Sequence, residues 1–485
     1  MALNGNYHDL DNTKTTSSLS PITLCWKNLC YNVYEWQRSG KNNLCDFPKR
    51  QPKSILNHLN GHVRLNSLNA LLGPSGAGKT SLINCLTGNI PVNGKLSDDT
   101  EIYLKKYARK SLNNNEKIPL FGIVPQFVQE IIFSHFTVEE ILYYAFCFKN
   151  PYHQYKHVDD CIRSTMDELM LDQRIRTTSF EKCSGGEKRR IAIAQELMSN
   201  VDSRPIFLFI DEPTTGLDSE SASLVIQCLQ RLSKQNPITV FVSIHSPSHA
   251  ILNHFDKIFI LAKDGLCIYS GPPNILRLYL KQVTKIELND EISPIEKYLA
   301  IASNGIEDVH VKQLADNVIH DQQNHLMNMA SDPNQNLNNY ESIPNGLPHY
   351  RKSFNFVDLS TQLQRLFRLI FIVDIRILMG IILLQTISMT TFTSIVDKNI
   401  LDLNGCVSNE WSMKNNTCDE HLNEERLTSV YFILQTVYII GIIGISAGLL
   451  AILSIEYLKV VRNEYLNGMW NFFYYSFINK ICLFI

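Results

Sequence analysis

The sequence predicts a largely parallel α/β unit followed by helices long enough to cross a membrane. Three observations predict it. Short, near-continuous apolar runs alternate with helix-patterned segments from Ile22 to about Tyr279, as in a sheet covered on both faces. A Gly-rich turn links one such run to a helix-patterned segment at Gly73 to Thr80. Nearly uncharged stretches crowd the last quarter of the chain.

At 485 residues the chain exceeds the ~100–200 residues of a typical domain, so at least two units are expected. Lys and Arg number 45 against 47 Asp and Glu. That balance lacks the basic footprint of a nucleic-acid-coating protein, and no nucleic-acid partner is expected. The 12 cysteines are scattered, without C-x-x-C pairs or His partners at ligand spacing, which argues against a zinc module or a disulfide scaffold.

In chain order, residues 1–20 are polar, with no apolar core for a secretory signal, and read as a loose tail. Residues 21–305 hold the α/β unit. Asn69 to Leu72, Ile206 to Ile210 and Ile238 to Ser243 are its strand candidates, and "IFILAKDGLCIYSG" places two β runs around an Asp264-Gly265 turn pair. Residues 306–358 turn to Asn, Gln, His, Asp and Pro, which predicts a flexible linker with solvated histidines. Over 359–376, Leu363, Leu366, Phe367 and Ile370 recur at helical spacing beside Arg365, Arg368 and Arg376, as in an amphipathic connecting helix along a membrane surface.

Residues 377–485 read as a partial transmembrane domain. The run 377–396 holds 20 residues without a charge and the run 427–455 holds 29, where roughly 20 suffice to span hydrocarbon. Spans are expected at about 377–396 and 429–455, with a third starting near 470. The loop 397–426 is acidic and its flanks are basic, so it is expected on the extracellular or lumenal side. There Cys406 and Cys418 can form a disulfide, and Asn415 heads a glycosylation sequon.

The chemistry concentrates in three short runs. "LNALLGPSGAGKTSL" satisfies G-x-x-x-x-G-K-[ST] between a predicted strand and a helix. Its residues Gly73, Pro74, Ser75, Gly76, Ala77 and Gly78 turn backbone N–H groups toward phosphate oxygens at a helix start that continues through Lys79, Thr80 and Ser81. Lys79 reaches the outer phosphates and the Thr80 hydroxyl ligates magnesium. "RPIFLFIDEPTTGLD" sets Asp211 and Glu212 at the end of an apolar strand, the first to organise the metal, the second to polarise an attacking water. "CSGGEKRRIAIAQEL" places Ser184, Gly185, Gly186 and Glu187 at a second helix start with open N–H groups. The fold class is therefore an α/β P-loop nucleotide-binding domain followed by an α-helical transmembrane domain, with a nucleotide and Mg2+ as cofactors; the family resemblance that follows implies that the nucleotide is ATP and the membrane domain incomplete.

"SGGE" with the P-loop, "DEPTTGLDS" and "SIHSPS" together resemble the motif set of ATP-binding cassette ATPases. The resemblance implies that the Ser184 motif of one subunit closes over ATP held by the other subunit's P-loop. It also implies that Gln126 in "GIVPQF" contacts magnesium and couples to the membrane part, that Asp218 reaches across the interface, and that His245 holds the γ-phosphate and water. Tyr31 and Tyr34 are its candidates for stacking on adenine.

The cassette precedes the membrane segments, which is similar to the white-type, subfamily G half-transporters. "IHSPSHAILNHFDKIFILAKDGLCIYSGPP" matches that group, and "VVRNEYLNGMWNFFYYSFINK" resembles its cytosolic elbow. "SPIEKYLAIAS" departs from the group's N-P-A-D-F stretch. The group has six spans per half, so a chain that stops at Ile485 is expected to be a fragment. The implied function is ATP hydrolysis coupled to moving a small amphipathic substrate, sterol or lipid favoured, across a lipid bilayer. The implied partner is a second half-transporter. The alternative is a truncated, membrane-tethered regulatory partner that binds ATP without moving cargo.

Overall fold

In this computed structural model, residues 22–37, 49–105, 121–150, 152–199, 204–287, 293–331, 340–348 and 356–368 are described, with residues 383, 386, 387, 390, 459–462 and 464. The predicted apolar runs form strands within a residue of their expected ends. β1 is Ile22–Gln37, β2 Lys49–Arg64, β3 Leu68–Leu72, β4 Gly94–Leu96, β5 Glu101–Lys105 and β6 Phe121–Val124. β7 is Phe207–Ile210, β8 Thr239–Ile244, β9 Lys257–Ala262, β10 Leu266–Gly271 and β11 Tyr340–Ser342.

Strands β3, β7 and β8 are buried at every position, which is why they carry no polar alternation. They lie inside a six-stranded sheet of order β10-β9-β3-β8-β7-β6. Its neighbours are parallel except β9 and β10. A second, antiparallel sheet has the order β11-β5-β1-β2, with β4 also paired to β1.

Aromatic packing joins the two sheets. Trp26 of β1 lies 5.5 Å from Phe259 of β9 and 6.4 Å from Phe241 of β8, ring centre to ring centre, and Phe241 continues to Phe209 of β7 at 5.9 Å. Rings of this size are the largest single contributors of buried apolar area. The predicted Asp264-Gly265 turn joins β9 to β10 with both residues left-handed, φ 69° and 72°. Only glycine fits the second position, because a Cβ on Gly265 would sit 1.9 Å from the Ile55 carbonyl oxygen of β2.

Helix α1 (Lys79–Thr87) follows β3, and α2 (Val138–Lys149) begins with a capping box between Thr137 and Glu140. α3 (Val158–Glu168), α4 (Gly185–Leu197), α5 (Ser219–Gln235) and the short α6 (His249–Leu252) complete the helices that alternate with strands. Beyond β10 come α7 (Leu276–Thr284) and α8 (Pro294–Ala302).

The segment predicted as a flexible linker, 306–358, is largely built into the cassette. It forms α9 (Val309–Ser331), which buries Val311, Leu314, Ala315 and Val318. Those four positions are i, i+3, i+4 and i+7, one helical face. The apolar residues are few but correctly spaced, and composition averaged over the segment hides them. After α9, β11 pairs with β5, and the Tyr340 hydroxyl donates to the Ile22 carbonyl at 3.1 Å.

The chain divides into two compact units, Met1–Lys352 with Asn463–Trp470, and Ser353–Arg462 with Asn471–Ile485. In the second, α10 (Phe356–Arg368) occupies the first part of the predicted connecting helix 359–376. The tail 1–20, residues 369–376, the loop 397–426 with Cys406, Asn415 and Cys418, and the spans at 429–455 and from about 470 lie outside the described residues, as does 377–396 apart from residues 383, 386, 387 and 390. Among the described residues no helix is long and apolar enough to cross a membrane.

Candidate functional site

Parallel strands end together at one edge of their sheet, and the loops that leave that edge form a common crevice. The loops after β3, β6, β7 and β8 carry the P-loop, Gln126, Asp211 with Glu212, and His245.

Gly78, left-handed at φ 90°, is the N-cap of α1, and a Cβ there would meet Leu56 Cδ2 at 2.6 Å. Ser75, Gly76 and Thr80 are exposed, whereas Ala77 and Lys79 are buried. The Lys79 amine folds back over its own loop, donating to the carbonyls of Gly73 at 2.9 Å and Pro74 at 3.2 Å. Burial pulls its pKa below the usual lysine range, while Glu212 and Asp211 pull it back up.

Thr80 Oγ1 donates to Asp211 Oδ2 at 2.9 Å. Ser243 Oγ donates to the other carboxylate oxygen, Asp211 Oδ1, and accepts the Glu212 N–H at 2.9 Å. Glu212 Oε2 accepts from Gln126 Nε2 at 2.9 Å and from Thr215 Oγ1 at 3.0 Å. Arg189 of α4 donates to the Gln126 carbonyl. Its pKa is lowered by burial, against the opposing pull of Glu212 and Asp211.

Lys79, Thr80, Asp211, Glu212 and Gln126 thus share one cluster. The remaining predicted residues sit elsewhere. Ser184 caps α4 in a reciprocal box, its N–H given to Glu187 Oε2 at 2.8 Å and its hydroxyl accepting the Glu187 N–H at 3.3 Å. The amides of Gly185 and Gly186 are then the open donors of that helix end. Both glycines pack on the Asp218 loop and α5, since a Cβ on Gly185 would lie 2.9 Å from Leu217 and one on Gly186 3.3 Å from Ser221. Asp218 caps α5 through the Ser221 N–H at 2.9 Å, which holds its carboxyl below the ordinary aspartate range. His245 is exposed, and its one described hydrogen-bond contact is Ser246 Oγ at 3.1 Å. Tyr31 is buried against Gly94 in the β1–β4 pairing and so is withdrawn from any ligand in this arrangement, whereas Tyr34 is half-buried.

Magnesium takes hard oxygen ligands. The Thr80 hydroxyl and Asp211 carboxylate, 2.9 Å apart, fit that chemistry, and Gln126, its nitrogen committed to Glu212, has its amide oxygen left for a cation. No group of three His, Cys, Asp or Glu able to hold a metal occurs among the described residues.

Sequence reasoning missed Ser243, Thr215 and Arg189. For Ser243 a signal exists, a hydroxyl among the apolar residues of the strand "TVFVSI", whose one other polar residue is Thr239 at its start. Thr215 and Arg189 look like ordinary loop and helix residues until the fold brings them to Glu212 and Gln126.

Residues 56–215 match the family model for the ABC transporter, and residues 245–340 match that for the ABC-2 type transporter. ABC transporter G family member 1 of Arabidopsis thaliana is 31% identical over 275 residues, covering 52% of this chain and 34% of that protein. The broad substrate specificity ATP-binding cassette transporter ABCG2 of Bos taurus is 32% identical over 267 residues, covering 53% of this chain and 38% of its own length. Among solved structures, a dimeric ATP-binding cassette in a post-hydrolysis state, bound to ADP and Pi, is 22% identical with a TM-score of 0.37, covering 51% of this chain and 98% of that one. The match to this chain thus spans little more than a third of each curated relative. Over those two matched stretches the chain is thus similar to ABC transporters, in cassette-first order, and over about half of its length it is similar to curated members of their G family.

Proposed function

We propose that the chain is the energy-coupling portion of a membrane half-transporter, binding and hydrolysing MgATP to move an amphipathic substrate, sterol or lipid favoured. The observation that carries this is the convergence of Lys79, Thr80, Asp211, Gln126 and Glu212 at one edge of the parallel sheet, where Thr80 donates to Asp211 and Gln126 to Glu212, each at 2.9 Å.

Each residue has a task that follows from its placement. Lys79 leaves the carbonyls of Gly73 and Pro74 when phosphate oxygens replace them, an exchange of neutral for charged acceptors that strengthens its hydrogen bonds. The amides from Gly76 to Thr80 receive the inner phosphates at the start of α1. Thr80, Asp211 and Gln126 would hold magnesium, which when bound neutralises charge on the transferring phosphoryl group. Glu212, held by Gln126 and Thr215 through one oxygen, keeps the other for an attacking water. His245, free of strong partners, turns to the γ-phosphate once nucleotide binds.

The open amides of Gly185 and Gly186, with Asp218 beside them, form a second phosphate-facing edge that a second cassette would complete. The partner is therefore another half-transporter, in a lipid bilayer reached by the spans at 377–396 and 429–455. The outer-loop disulfide of Cys406 with Cys418 and a sugar on Asn415 belong to the same reading.

The test is nucleotide binding and phosphate release by the chain in lipid nanodiscs. Lys79→Ala is expected to weaken ATP binding, and Glu212→Gln to retain binding while turnover stalls. Unchanged ATPase activity in both variants would overturn the proposal.

A further inference from the structure

One buried side chain on β8 touches both acids of the cluster. Ser243 is fully buried, donates its hydroxyl proton to Asp211 Oδ1 and accepts the Glu212 N–H at 2.9 Å. The Ser243 carbonyl accepts the same Glu212 N–H at 3.2 Å. These links run between β8 and the loop that follows β7, and β7 and β8 pair in parallel register.

Two consequences follow from the geometry. Asp211 is clamped at both oxygens, by Thr80 on Oδ2 and by Ser243 on Oδ1, so its carboxylate cannot turn about its Cβ–Cγ bond without breaking one of them. Glu212 has φ 45°, a left-handed conformation that non-glycine residues hold only when their surroundings impose it. The Glu212 amide is the point where Ser243 imposes it. The serine itself reaches no solvent and therefore no substrate; it acts through its two neighbours.

We infer that Ser243 is a positioning residue for the hydrolytic centre, setting the Asp211 carboxylate for a divalent cation and the Glu212 backbone for water attack. The inference rests on the MgATP reading above. A hydroxyl is required because one atom must donate to a carboxylate and accept from an amide at once. Threonine preserves that pair of bonds, and alanine removes both.

The experiment uses the chain in lipid nanodiscs, with wild type, Ser243→Ala and Ser243→Thr. Equilibrium binding of a fluorescent ATP analogue is titrated with Mg2+, beginning in EDTA, and phosphate release is measured in parallel. In EDTA all three proteins are expected to bind the nucleotide alike. Ser243→Ala is expected to need about 10-fold more Mg2+ for the half-maximal change in affinity, the size of effect that loss of a hydrogen bond to a charged group produces. Its kcat is expected to fall with little change in KM at saturating Mg2+. Ser243→Thr is expected to stay within about twofold of wild type in both.

Wild-type Mg2+ dependence and kcat in Ser243→Ala would overturn the inference while leaving the MgATP reading intact. Absence of nucleotide binding in the wild type would instead overturn that reading. Equal losses in Ser243→Ala and Ser243→Thr, or weakened binding of the analogue in EDTA, would show that the site only tolerates serine's volume, and would overturn the positioning role.

Discussion

Two regions of the cassette hold charge in opposite ways. At the carboxyl ends of the parallel strands, Asp211 and Glu212 are ringed by neutral donors, the hydroxyls of Thr80, Ser243 and Thr215 and the amide of Gln126. Under α9, the partly buried Lys257 of β9 has no carboxylate partner among the described residues. Its amine lies 3.2 Å from His62 Nε2, donates to the His62 carbonyl at 3.1 Å and sits 4.9 Å over the Phe259 ring. His62 Nδ1 lies 3.0 Å from Gln322 Oε1 of α9.

The difference teaches what each arrangement is for. Neutral donors orient the two acids by hydrogen bonds, and the Lys79 and Arg189 cations reach them electrostatically, so the rim holds both signs of charge in one preorganised cluster. In the seam, a lysine, an imidazole and an amide in a row specify where α9 docks, and an unpaired buried cation costs stability. Substitutions at the rim should therefore move function and spare stability, and substitutions in the seam should do the reverse.

The largest expected effect is Glu212→Gln, a drop in turnover on the order of 100-fold or more, with the melting transition nearly unmoved; phosphate release and calorimetry on the same sample check it. A large fall in melting temperature would break the contrast.

The next concerns pH. Burial, with help from Arg64, pushes Lys257 down to about 7, while the neighbouring Cys267 thiol, itself pushed up to about 12 by burial, acts weakly the other way. The folded state then binds fewer protons than the unfolded state between about pH 7 and the ordinary lysine range, so stability rises with pH across that window. The slope is at most about 1.4 kcal/mol per pH unit, less where water reaches the side chain. Lys257→Met is expected to flatten this rise and leave ATPase activity within about twofold. Thermal unfolding from pH 6.5 to 9.5 reads the slope, and an identical slope in the variant would detach it from Lys257.

Gln322→Leu sharpens the same side of the comparison. It leaves His62 Nδ1 without its α9 partner, a loss of about 1–3 kcal/mol, expected as faster hydrogen exchange in α9 and unchanged exchange in α1. The smallest effect serves as a reference outside both regions. Thr137→Ala removes the cap of α2, where Thr137 Oγ1 accepts the Glu140 N–H at 3.2 Å; about 1 kcal/mol of stability is expected to go, with ATPase activity retained.

Much of the rim was legible in the residues alone because its parts are local. Gly73 to Thr80 is one contiguous loop, Asp211 and Glu212 end an apolar run, and Ser184 with Glu187 spells its own cap. The seam was not legible. His62, Lys257 and Gln322 are separated by 195 and 260 residues along the chain from their contacts, and no spacing rule reaches that far. For the same reason the 309–331 stretch looked like a linker, since a helix with four buried apolar positions in a field of Asn, Gln and His is recognised only when a surface is present to receive them.

By itself the sequence determined where the Gly-rich loop meets its helix, where Asp211 and Glu212 end their strand, and which strands are covered on both faces, because backbone turns, helix caps and burial periodicity are written within a few residues of each other. Only the tertiary structure decided that Ser243 clamps Asp211, that Arg189 reaches Gln126, and that α9 returns to lie on β2 and β10. Those outcomes depend on which strands become neighbours, and strand order is set by the packing of the whole sheet.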